Sequence, residues 1–323
     1  MSVKSLEVFF GINGKNFQRQ YKERLSGFEK WDQQSHATDY LVYPENIGPY
    51  ISLDETALSN GELYTIFTNK SKKGKQGSIV AMIKGTAATK IIEVLKNKLT
   101  PKQRNSVKEI TLDMAGSMNE IARVCFKKAT RVTDRFHVQK LAYSAVQDIR
   151  IKYRWEALET ENNAYLNARA NNKIHRPVIL SNGDTYKQLL ARSRYLLFKS
   201  RKKWTQKQTA RAEVLFQIYP DLYKAHKLAM SLNSIYEHTY VKSVALTKLA
   251  HWFRKVEQSG FRNFATVMRS FQIHYDSIAN FFNNRSTNAA AESFNAKIKD
   301  FRRNFRGVTD VKFFLFRLTK IYA

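Results

Sequence analysis

Asp54 closes the run YISLDET, Asp113 closes VKEITLD, and Glu292 stands near the start of the helical stretch NAAAESFNAKIKD. Short β-branched runs of this kind read as strands. Two acids are therefore delivered at strand ends and a third at a helix start. Hard cations such as Mg²⁺ take oxygen ligands and keep several waters, so a few carboxylates suffice to hold them. Two such ions would clamp the attacking and leaving oxygens of an in-line phosphoryl transfer. Mg²⁺ is the expected cofactor, with Mn²⁺ able to replace it. Taken singly, each acid has a plainer reading, since a strand-terminal Asp is most often a turn or helix-cap residue. A further run, ATRVTD, ends on Asp134, and Arg135 and His137 follow within one helical turn. His137 reads as a group supporting the site, a phosphate contact or a core histidine. Glu55, next to Asp54, is expected on the opposite face of its strand.

Composition says what such a site would act on. The chain has 323 residues, with 55 Lys+Arg against 27 Asp+Glu, a formal net charge of +28. An excess of that size points to a polyanionic partner, most often nucleic acid. No apolar run reaches the length of a membrane span and the N-terminus lacks a signal-peptide pattern, so a cytoplasmic, nucleoid-associated protein without a membrane partner is expected. Cys125 is the single cysteine, which excludes a disulfide framework and a cysteine zinc site. It reads as a small buried apolar residue.

The elements that would position the acids can be read in order. Residues 1–35 hold two short helices around Gly11-Ile12-Asn13-Gly14, with Leu6, Val8 and Phe9 on one face of the first and Phe17, Tyr21, Leu25 and Phe28 on one face of the second. This fits a helix-turn-helix or an ordinary αα-hairpin. Residues 36–49, with Pro44, Gly48 and Pro49, read as a linker. Residues 50–140 give three strands, a helix, a strand, a helix and a strand: an α/β, mixed sheet flanked by helices. Residues 141–283 are apolar at helical spacing, heavily basic and without a strand, an all-helical domain interrupting the sheet domain. Residues 284–323 return two helices, the first carrying Glu292.

Several basic stretches are expected at nucleic-acid phosphates. Lys199, Arg201, Lys202 and Lys203 lie beside Trp204, and the hairpin loop from Lys70 to Lys75 presents Lys72 and Lys73. Lys297, Lys299, Arg302, Arg303 and Arg306 surround the apolar stripe of the Glu292 helix. Arg285 and Ser286, just ahead of that helix, are expected to contact the scissile phosphate. Of Trp155, Trp204 and Trp252 in the helical block, one could stack on an unpaired base.

The stretches LDET, ITLDMAGSM, VTDRFHVQKL, NRSTNAAAESFNAKIK and FRGVTDVKFFLFRL together resemble the bacterial insertion-sequence DDE transposases of the ISL-three family, from about Tyr50 to the C-terminus. The resemblance implies a ribonuclease-H-like catalytic domain with Asp54, Asp113 and Glu292 as the metal-binding triad. It makes the helical block an insertion domain and gives Asp134-Arg135-Phe136-His137 a place near the site or on DNA. Metal-dependent cleavage and strand transfer at the element's ends are implied, with double-stranded DNA, both ends and target, as partner and a homodimer or higher assembly on it. A nuclease or resolvase of the same fold, or an inactive domesticated DNA-binding protein, are the alternatives. Longer members carry an N-terminal zinc ribbon that this sequence lacks, so the resemblance implies either a separate zinc-ribbon polypeptide as a further partner or a truncated copy.

Overall fold

Two short helices open the chain, α1 (Val3–Phe10) and α2 (Gly14–Gln20). Gly11 makes the reversal between them at φ 62°, where a Cβ would be strained. The Asn13 side chain then accepts the Asn16 N–H at 3.0 Å and starts α2. The computed structural model describes residues 3–58, 61–304, 308 and 310–323, leaving aside the side chains of Val3, Lys4 and Leu6. The Leu6 contact and Arg306 expected above thus lie outside the described residues. Val8 and Phe9, expected on a packed face, are exposed. Phe28 is buried against Phe313 and Phe316, yet Leu25 is 68% exposed. A π-helical turn over Tyr21–Leu25 is the reason. Its wider pitch shifts the phase of the apolar positions and turns Leu25 outward.

The strands follow: β1 (Tyr40–Val42), β2 (Tyr50–Ala57), β3 (Leu63–Asn69), β4 (Ile79–Lys84), β5 (Glu109–Leu112) and β6 (Thr130–Thr133). They form one six-stranded sheet in the order β1-β4-β3-β2-β5-β6. β2, β3 and β4 are an antiparallel meander, while β5 and β6 run parallel to β2. Parallel neighbours need crossovers. Helices α3 (Ala88–Lys98) and α4 (Pro101–Ser106) precede β5, and α5 (Gly116–Cys125) joins β5 to β6. The expected linker is corrected here. Tyr40–Val42 pairs antiparallel with β4, Leu41 is fully buried, and the Gln33 side chain bonds both backbone groups of Val42. A three-residue strand followed closely by Pro44 is too short for alternation to reveal.

The chain divides into two compact units, Met1–Asp134 with Ser286–Ala323, and Arg135–Arg285. The second unit is helical: α6 (Arg135–Ala170), α7 (Tyr186–Arg192), α8 (Gln206–Ile218), α9 (Pro220–His238), α10 (Lys242–Ser259), α11 (Arg262–Ile273) and α12 (Tyr275–Asn284). It starts at Arg135 rather than 141 because α6 runs without interruption from there. Its core includes Leu232, Tyr236, Trp252, Phe264, Phe271 and Phe282. Among the described residues no helix is long and apolar enough to cross a membrane.

The first unit is completed by α13 (Ala289–Asn304) and α14 (Val311–Tyr322). Ile51, Leu53, Ile110 and Leu112 pack on one face of the sheet with Leu95, Met118 and Ile121. On the other face Tyr64, Ile66 and Met82 meet Phe294, Ile298, Leu315 and Leu318. The C-terminal helices thus supply half of the hydrophobic cover, across a long sequence separation. Phe294 is 1% exposed, so Phe294→Ala is expected to cost about 3–5 kcal/mol of stability in urea unfolding.

Candidate active site

The β2–β5 ladder decides where the acids go. Ser52 pairs with Thr111 in parallel register, and Asp54 and Asp113 each lie two residues further along. Side chains alternate along a strand. Asp54 and Asp113 therefore sit at the same level on neighbouring chains, on the α13 face, opposite Leu53 and Leu112. The Asp54 carboxylate accepts the Glu55 N–H at 2.8 Å on one oxygen and the Asn295 side-chain amide at 2.8 Å on the other. Asp113 accepts the Ala115 N–H at 2.7 Å, a turn that ends β5 and leads into α5.

Glu292 stands exposed in the first turn of α13. Asn295 follows it three residues later, on the same side of the helix. The side of α13 that carries Glu292 thus also carries, one turn on, the amide that holds Asp54. Among the described residues no three His, Cys, Asp or Glu side chains converge tightly enough to hold a metal ion. The chemistry of the donors nevertheless fits a hard divalent cation. Burial first, and then the charges of Asp113 and Asp54, push the Glu55 carboxyl above its ordinary value of 4.5; the second part is like-charge repulsion of the kind that a cation relieves.

Beneath the acids lies a polar layer that the sequence did not single out. Lys70, at the end of β3, turns inward instead of joining the phosphate-facing loop. Its ammonium donates to Thr111 Oγ1 at 2.8 Å and to the Ser286 hydroxyl, and pairs with Glu109 at 3.5 Å. Burial holds its pKa below the usual lysine value, against the pull of Glu109 and Asp134. Ser286 is thus a member of this layer, a hydroxyl already engaged by Lys70. Asp134 is 2% exposed and its N–H donates to Leu112 O at 3.0 Å; the Leu112–Thr133 register puts it level with Asp113 on the neighbouring strand. Asn288, 1% exposed and directly ahead of α13, has no hydrogen-bond partner for its amide among the described residues. A buried amide of that kind is costly unless a ligand or water meets it.

Other expected residues fall elsewhere. The Arg285 guanidinium donates to Thr239 O and Tyr236 O at 2.8 Å each and lies 4.4 Å from the Tyr240 ring centroid. It closes the C-terminal end of α9, with two of its nitrogens donating to backbone carbonyls there. Lys297 likewise donates to Gly74 O at 2.8 Å, which ties the β3–β4 loop to α13. Lys72, Lys73, Lys299 and Arg303 are exposed and Arg302 half-exposed; Arg303 forms an exposed pair with Asp300. Arg135 and His137 occupy the first turn of α6. Lys199, Arg201, Lys202 and Lys203 are exposed. The tryptophans separate: Trp252 is core, Trp155 is exposed, and Trp204 is half-buried with its indole N–H on Leu196 O at 2.8 Å.

A mixed sheet with acids at the ends of adjacent parallel strands, closed by a later acid-bearing helix and interrupted by a helical unit, defines a ribonuclease-H-like α/β protein. The sequence model of the ISL3-type DDE family, described as Transposase, matches residues 51–318. The chain belongs to that transposase family. No curated protein matches it.

Two measurements check the local electrostatics. In the metal-free protein the raised Glu55 pKa means that ionising Glu55 disfavours the fold. That penalty is absent well below pH 4.5 and grows as pH rises through that value. Glu55→Gln is therefore expected to raise the melting temperature at pH 7 and to leave it unchanged near pH 3. Lys70→Met strands a buried Glu109 and is expected to cost about 3–5 kcal/mol in chemical unfolding.

Proposed function

We propose that this transposase is a metal-dependent enzyme of the DDE type, which cuts the ends of its own insertion sequence and joins them to target DNA. Asp54, Asp113 and Glu292 would hold the divalent cations, Mg²⁺ or Mn²⁺, with two expected. When bound, such ions supply Lewis-acid charge at the attacking and leaving oxygens of a phosphodiester. The observation that carries the reading is the Ser52–Thr111 register, which makes Asp54 and Asp113 neighbours, together with the Asn295 bond from the Glu292 helix to Asp54.

The chain's own groups do the positioning. Asn295 and the Ala115 N–H each occupy one oxygen of their carboxylates and leave the remaining lone pairs directed. The Lys70 layer keeps the strand ends rigid below them. In the first reaction water attacks the phosphorus at an element end, the bond to the 3′-oxygen breaks, and a 3′-hydroxyl is released. In the second, that 3′-hydroxyl attacks a target phosphodiester and expels the target's own 3′-oxygen. No covalent enzyme intermediate is needed. Exposed cations such as Lys72, Lys73, Lys299 and Arg201 hold the duplex through its phosphates. Joining two ends calls for a dimer or larger assembly. The helix-turn-helix reading of α1 and α2, and a separate zinc-ribbon polypeptide for end recognition, belong to the same proposal.

Asp113→Asn is expected to abolish Mg²⁺-dependent cleavage and strand transfer on a plasmid carrying the element's ends, while duplex binding changes little. Full activity in that variant would sink the assignment, and cleavage without joined product in the wild type would favour a nuclease instead. Binding should also weaken on the order of 10³-fold or more between about 50 and 200 mM salt, as expected for many phosphate contacts. A flat salt response would contradict a phosphate-held duplex.

A further inference from the structure

The helical unit holds a cavity of about 410 Å³ that the catalytic reading does not use. Its walls come from the turn ahead of α8, from α8 itself and from α9. Trp204 faces Phe216 and His226 with ring centroids at 6.1 and 5.6 Å, and Phe216 faces Tyr223 at 4.8 Å. Four flat rings thus share one small space. The His226 Nε2–H donates to Lys199 O at 3.1 Å, and burial lowers the pKa of this ring, so this wall is held in place and uncharged at neutral pH. The Trp204 indole N–H is bonded to a backbone carbonyl, which fixes its plane.

The rim is cationic. Arg201 and Lys227 line the mouth, and Lys202 and Lys203 follow Arg201 in the same exposed turn. Among the described residues none of these four cations is in an ion pair; Lys227 rests over the Tyr223 ring at 4.2 Å. One acid, Glu213, stands in the wall. A helical domain needing only a core would fill such a space with branched aliphatics. This one keeps an opening of ligand size, lined with rings and edged with free positive charge.

We propose that this pocket binds an unpaired nucleobase of DNA, with the rim cations on the flanking phosphates. A base offers a flat π-face to the rings, a negatively charged backbone to Arg201 and Lys227, and in adenine or cytosine an exocyclic amine to Glu213. A paired base within a duplex cannot enter, so the ligand is single-stranded or frayed DNA. The inference does not rest on the carboxylate triad.

The test uses the full chain and two labelled single-stranded 12-mers, one with intact bases and one abasic throughout, with fluorescence anisotropy at fixed salt. The wild type is expected to prefer the intact strand by about tenfold or more, the scale of base stacking on aromatic rings. Tyr223→Ala, at the half-exposed rim, and Phe216→Leu, which keeps apolar bulk, should each lower that preference severalfold while melting as folded proteins. Should Phe216→Leu fail to fold, Tyr223→Ala alone decides. Arg201→Gln should weaken both strands together and leave the ratio unchanged. A wild-type ratio near one, or a ratio untouched by Tyr223→Ala in a folded variant, would overturn the proposal.

Discussion

The parallel ladder between β2 and β5 is the constraint on which the candidate site depends. Ser52 opposite Thr111 sets the level at which both strands end, and a slip of one residue would send Asp54 and Asp113 to opposite faces. The hydrophobic sides of the same strands hold that register, because Ile51, Leu53, Ile110 and Leu112 are all at or below 1% exposure in one cluster. Burying those four side chains is what makes the acid-bearing level unique. The polar side of the ladder then carries Ser52, Thr111 and the two acids, and α13 can approach only where Phe294 and Ile298 seat it on that face.

Charge is managed in two layers around this ladder. Burial and the carboxylates crowded at the strand ends raise the Glu55 carboxyl, while one inward lysine pairs with Glu109 and is drawn by the charge of Asp134. Putting that lysine inside costs desolvation, which lowers its pKa, and hydrogen bonds to Thr111 and Ser286 offset the cost. The rest of the +28 excess stays outward, where it can meet DNA. The helical unit shows the same division: Asp184 is buried between Arg192 and Arg211, whereas Arg201, Lys202 and Lys203 face solvent.

Much of this was legible in the residues and some was not, for identifiable reasons. β-branched runs ending in Asp, a Gly/Lys hairpin loop and helical periodicity gave the strands from Tyr50 onward and the helical block. β1 escaped because three residues carry no periodicity, and Leu25 was misplaced because a π-turn shifts the helical phase. Lys70 looked like the first of a basic run, and only tertiary packing turned it inward. Arg285 stands ahead of Glu292 in the sequence, and only the fold shows its left-handed backbone at φ 52° and its bond at the end of α9. Asn295 could have been found, since the spacing Glu-x-x-Asn places it on the Glu292 face. Trp204 needed the fold to bring Phe216, Tyr223 and His226 to it.

On the proposed function, Asp54, Asp113 and Glu292 serve one metal-binding position. Fe²⁺ in place of Mg²⁺, with ascorbate and peroxide, cleaves a polypeptide backbone close to where the ion is bound. Mapping the fragments should give three clusters of cuts, near residues 54, 113 and 292, all suppressed together by excess Mg²⁺ and by Asp54→Asn. Cuts confined to other segments, or cuts near residue 292 that survive Asp54→Asn, would contradict a shared site.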